Sequence, residues 1–104
     1  MIHNGEIPTV QAAIYTCPVA SQGTPRSGGN KTINFFRVAN ESGAARTFTI
    51  FLNVNGTARA ITPVDVELVD GAAYDDVPVF QLPPGATIEA VADDADVSWT
   101  INAE

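Results

Sequence analysis

Few residues in this chain of 104 can do chemistry, and their types and spacing restrict what that chemistry could be. His3 is the single histidine and Cys17 the single cysteine. A Cys-His or Ser-His-Asp nucleophile needs the imidazole held by a third group against the thiol or hydroxyl, and nothing in MIHNGEIPTV supplies that ordering. His3 is therefore expected in solvent. Zinc asks for three or four His, Cys or carboxylate ligands, which this pattern does not assemble. Cys17 has no partner for an intramolecular disulfide and is expected to act as a small buried hydrophobe. Acidic clusters stand at Asp75-Asp76 and at Asp93, Asp94 and Asp96. Neither follows the D-x-[DN]-x-[DN]-G spacing of a calcium loop, and both fit turn residues that keep strand edges charged. Sequons begin at Asn30, Asn40 and Asn55, and in a chain read without a signal peptide they are turn chemistry. A phosphate-binding Gly loop, a nucleophile elbow and a basic-aromatic platform are all missing from the sequence. The expectation is a protein that is not an enzyme and uses no cofactor or metal.

Composition bounds the remaining classes. With 45% hydrophobic and 16% charged residues, 8 Gly and 7 Pro, the chain is too apolar for a disordered tail and too interrupted for a coiled coil. Its length suits one hydrophobic core. No run approaches the roughly 18 apolar residues of a membrane helix, and the N-terminus lacks the charged and apolar regions of a secretory signal, so folding in the cytosol without a membrane partner is expected. The net charge of −7 is unevenly spread. Residues 1–60 hold all five basic residues against Glu6 and Glu41, while residues 61–104 hold ten acids and no Lys or Arg. Nucleic acid is a poor partner for such a surface, since affinity there comes from clustered cations. Uneven charge can orient a protein on a partner, and it also confers plain solubility.

Period-two alternation, punctuated by turn signals, positions these residues on strands. Thr9 to Cys17 lies between Pro8 and Pro18 and reads as the first strand. Residues 1–8 precede it as an arm. Residues 18–30, PVASQGTPRSGGN, read as a long exposed loop. Lys31 to Asn40 is apolar on both faces, and with Arg46 to Val54 it is expected to form an antiparallel hairpin whose second apolar face is covered by that loop or by another subunit. Asn55-Gly56 turns the chain back through Thr57 to Ile61. Val64 to Leu68, Val77 to Leu82, Thr87 to Ala92 and Asp96 to Asn102 complete seven to eight short strands, with Val97, Trp99 and Ile101 facing the core. Such spacing predicts a single antiparallel β-sandwich over residues 9–104, with jelly-roll and Greek-key connectivity both open.

Two turns carry a resemblance. Asn40, Ser42 and Gly43 form an N-x-S-G turn before a β-rich strand, and Leu82, Pro84, Gly85 and Ile88 form an L-x-P-G-x-x-I turn. In these elements the run from Lys31 to Asn102 resembles small β-sandwich virion proteins of tailed bacteriophages. The resemblance implies a capsid decoration (cement) protein that binds and stabilises the assembled head shell, or else a tail or neck accessory protein. It further implies a virion location, the major capsid protein or other virion subunits as partners, and a homo-oligomer, trimer ahead of dimer. On this reading Ile2, His3 and Ile7 of the arm and Arg26 and Lys31 flanking the loop contact neighbouring subunits, and removing residues 1–8 leaves a folded domain. A carbohydrate- or receptor-binding module is the alternative, with Tyr74, in DGAAYDD, as its stacking residue.

Overall fold

A computed structural model describes residues 1–19, 29–77, 80–94 and 96–104. Among these residues there are ten strands: β1 Ile2–Glu6, β2 Ala12–Thr16, β3 Lys31–Asn40, β4 Arg46–Val54, β5 Thr57–Ala60, β6 Val66–Leu68, β7 Ala73–Asp76, β8 Phe80–Leu82, β9 Thr87–Ala92 and β10 Val97–Ala103. All pairings are antiparallel. One sheet runs β1-β10-β3-β7 with β8 also on β3, and the other runs β2-β9-β4-β5 with β6 also on β4. No helix among the described residues is long and apolar enough to cross a membrane.

The fold is a β-sandwich. If β5 with β6, and β7 with β8, each count as one position, the sheets read 1-8-3-6 and 2-7-4-5, which is jelly-roll connectivity. The sandwich extends 49 × 24 × 20 Å. Alternation builds its interior: β9 and β10 bury every second residue, bringing Ile88, Ala90 and Ala92 together with Val97, Trp99, Ile101 and Ala103. Phe48 and Ile50 face them from β4, and Ile33, Phe36 and Val38 from β3.

The pairing departs from the expected hairpin. β3 and β4 belong to different sheets, and Glu41–Ala45 arches between them. Each long strand is central in its own sheet, so their apolar rows meet across the interior rather than side by side. The two-faced look of β3 has a local cause. Its register against β10 slips between Asn102 and Ala103, which pair with Phe35 and Ile33, leaving Asn34 as the extra residue of a bulge. The phase changes there, and Ile33, Phe36 and Val38 all point inward. A second apolar face therefore needs no cover along the whole strand.

Residues 1–8 are also different from expectation. Residues 2–6 form an edge strand paired over its full length with β10, and the Ile7 N–H donates to the Val97 carbonyl at 2.7 Å. Ile7 is buried in the core, because at this position the alternation His3, Gly5, Ile7 points between the sheets. The Met1 ammonium donates to the Ala103 carbonyl at 2.7 Å. Gly5 stands opposite Trp99, where a Cβ would come 3.2 Å from the indole Nε1, so the absent side chain makes room for the ring. Cys17 is buried, its thiol 3.2 Å from the Leu82 carbonyl.

Candidate functional site

The sandwich has two open sides. At the first, β1 lies over β2, and the gap is filled by side chains. The His3 ring packs on Tyr15 with centroids 4.9 Å apart, so His3 is half-buried rather than in solvent. Burial raises the Tyr15 phenol above its ordinary pKa, with the nearby Cys17 adding to the effect. On the outer surface Met1, Ile2 and Val10 remain exposed.

The second side is built from interrupted strands. β5 pairs with β4 at Phe51–Val54 and β6 pairs with it at Arg46–Phe48, so on this side neither strand pairs with Thr49 or Ile50, and the Ile61 N–H donates to the Ile50 carbonyl at 2.9 Å. β7 and β8 divide β3 in the same way, at Phe36–Ala39 and Lys31–Ile33. Pro63 falls in the first interruption, where a residue with no N–H cannot extend a ladder. Threonine hydroxyls supply two further bonds. Thr62 Oγ1 accepts from the Ile50 N–H at 3.1 Å, and Thr49 Oγ1 accepts from the Asp65 N–H at 2.8 Å, where Asp65 has φ 56°.

Between the two interruptions lies a cavity of about 270 Å³. Ile33, Phe36, Ile50, Ile88 and Ile101 line its interior, with Leu52 and Phe80 beside them. Ile61, Asp76 and Gln81 line it too and are exposed, which places them at the mouth. Thr62 is buried there with its hydroxyl already committed to backbone.

A corner beside this side is held by Asn40, which is fully buried. Its Nδ2 donates to the Ala44 and Leu68 carbonyls at 2.7 and 2.8 Å, and its Oδ1 accepts from Ser42 N–H and Oγ–H. Gly43, at φ 89°, closes the arch, and the Gly43 N–H donates to Asp70. At the other end Leu82 and Ile88 are buried and Gly85 takes φ 82°. Both turns that carry the phage resemblance are thus crossings from one sheet to the other, not hairpins.

The expected contact residues do not gather in one place. Ile2 is exposed on β1, and Ile7 is in the core and closed to a partner. Lys31 opens β3 opposite Leu82. Residues 20–28 of the expected loop, Arg26 among them, lie outside the described residues. Tyr74 is on β7, not in a loop, and its ring packs edge-on against Phe36 and Phe48 at 5.9 and 5.6 Å. That packing withdraws it from the role of an exposed stacking platform. Alternation within AYDD was the signal that places Tyr74 inward and Asp75 outward.

Among the described residues, two ion pairs and a hydrogen-bonded carboxylate lie on the outer faces. Arg37 grips both carboxylate oxygens of Asp75, which holds that carboxyl below its ordinary range, and Arg46 meets Asp94 at 3.2 Å. Glu89 accepts from Gln11 at 2.9 Å and Asn53 at 2.7 Å, which lowers its pKa. Among the described residues no group of three or more His, Cys, Asp or Glu is placed to share a metal ion. Comparison with protein-family models, with curated proteins and with solved structures gives no match for this chain.

Proposed function

We propose that this chain is a structural component of a tailed-bacteriophage particle, of the capsid decoration type, that binds the assembled head shell. The observation that carries this reading is β1: an outer strand, paired on one side with β10, with Met1 and Ile2 exposed along it and Val10 exposed beyond it. An edge strand with free backbone groups and apolar side chains can accept a strand from a neighbouring subunit. Jelly rolls also serve as capsid and lectin domains, a likeness at the level of fold alone. Further support comes from the two resembling turns, whose Asn40, Leu82 and Ile88 are buried and hold the crossings between sheets. Many weak contacts of this kind, repeated over a shell, would act together.

Quantitative mass spectrometry of purified particles tests this. Copies in the hundreds, relative to the major shell protein, would support decoration, and a handful would transfer the protein to the tail or neck. Absence from particles would overturn the reading. In particles that carry it, Ile2→Asp is expected to reduce occupancy with the thermal unfolding midpoint unchanged, because Ile2 lies outside the core.

A further inference from the structure

The cavity between the interrupted strands has no part in the assembly reading above and stands independently of it. Unfilled apolar volume lowers stability in proportion to its size, so a protein fold tends to close such space. Here the space lies beside the interruption of β4, where β5 and β6 stop short of each other. On β4 neither β5 nor β6 pairs with Thr49–Ile50, on β3 the described parts of β7 and β8 pair with Phe36–Ala39 and Lys31–Ile33, and Ile50, Ile33 and Phe36 of these two strands line the cavity. The Thr49 and Thr62 hydroxyls satisfy the backbone at the β4 interruption, leaving its isoleucines facing the opening. At about 270 Å³ the space exceeds the roughly 150 Å³ apolar cavity that admits benzene. Its interior is aliphatic and aromatic, and its exposed mouth carries a carboxylate and an amide. Among the described lining residues, Asp76 holds the only charge. Asp76 Oδ1 accepts from the Val77 N–H, and Gln81 Oε1 accepts from Asn30 Nδ2. Among the described residues no hydrogen bond engages the second carboxylate oxygen of Asp76 or the Gln81 amide N–H groups.

We propose that this cavity is a binding site for a small amphiphile, with an apolar body of about one six-membered ring inside and a cationic or neutral hydrogen-bonding head at the mouth beside Asp76 and Gln81. Convergence of a few polar groups on an apolar pocket is the usual form of a small-molecule site. The head-group preference follows from Asp76, which attracts a cation and repels a carboxylate.

Benzylamine, benzyl alcohol and benzoate share one ring and differ in the head, and NMR of isoleucine-methyl-labelled protein reads their binding. Saturable shifts are expected at Ile33, Ile50, Ile88 and Ile101, strongest for benzylamine and weakest for benzoate. Asp76→Asn is expected to lower benzylamine affinity about fivefold and leave benzyl alcohol unchanged, since an exposed ion pair contributes modestly. Leu52→Phe, at a half-buried position, fills the interior, and Ile61→Trp, at an exposed one, covers the mouth. Either is expected to abolish the shifts while keeping a cooperative unfolding transition. Failure of all three probes to shift these methyls at millimolar concentration would overturn the proposal. So would shifts that survive in both filling variants, or equal affinity for benzylamine and benzoate.

Discussion

The two open sides of this sandwich solve the same problem by different means. Where β1 lies over β2, backbone supplies the order: β1 pairs with β10 at five consecutive positions, and His3, Tyr15 and Ile7 fill the gap. Where β5 and β6 lie over β7 and β8, the ladders stop, and side chains take over. Among the described residues the buried polar ones, Asn40, Thr49 and Thr62, stand on or beside this second side. Among the described residues no buried side-chain nitrogen or oxygen lacks a hydrogen bond. The difference teaches that an interrupted edge is tolerable when hydroxyls and amides stand in for the missing strand, and that such an edge can keep space a continuous ladder would close.

Breaking the continuous side should have the largest effect. Deleting residues 1–8 strips the ladder from β10, uncovers Trp99 and removes Ile7, a loss of about 5 kcal/mol or more, comparable with the whole stability of a small domain. The expected outcome is loss of the cooperative transition in a thermal melt followed by circular dichroism. A truncated chain that melts as sharply as the full one would show that β1 is an accessory. On the interrupted side, Asn40→Ala removes the donor to Ala44 and Leu68 and the acceptor for Ser42, and should cost about 3 kcal/mol in urea unfolding. Thr62→Val keeps the shape but leaves the buried Ile50 N–H without an acceptor, at about 1–3 kcal/mol, while Thr62→Ser retains the bond. Equal stability of the valine and serine variants would show that the hydroxyl does not replace the ladder.

The smallest effect joins the continuous side to the centre. Glu89, on β9, accepts from Gln11 beside β2 and from Asn53 on β4, and these bonds hold its folded pKa below the ordinary value. A depressed carboxyl stabilises the fold above the unfolded pKa, and that contribution disappears as pH falls through the folded one. In denaturant titrations at a series of pH values, Glu89→Gln should flatten the acid limb by less than about 1 kcal/mol. An acid limb identical to that of the wild type would remove Glu89 from the account.

Much of the strand content was legible because alternation is local. Thr87–Ala92 and Val97–Ile101 declare their inner faces in the sequence, as do the burial of Cys17 and the Asn55-Gly56 turn, where both residues take positive φ and β4 pairs with β5. The arch after β3 was not legible. A turn such as Glu41–Ala45 reads the same whether the chain returns beside the previous strand or crosses above it, and β4–β5 is the one consecutive pair in the described structure that lies side by side. The bulge at Asn34 was hidden too, since a single extra residue only makes a strand look apolar on both faces.

The cavity had no signature in the sequence, because it arises between β3 and β4, strands of different sheets whose lining residues Ile33, Phe36 and Ile50 are about 15 positions apart. Of its parts, Pro63 and the alternating isoleucines could be read individually. Side-chain period, turn residues and prolines act over a few bonds, so the sequence by itself determined an all-β chain, its strands and most of their inward faces. Which strands pair, which turns cross between sheets, that residues 1–8 close one side and that the other retains a cavity were decided only by tertiary structure. Those choices depend on apolar rows finding each other across the sandwich, and burial rewards the meeting of distant segments that no local pattern encodes.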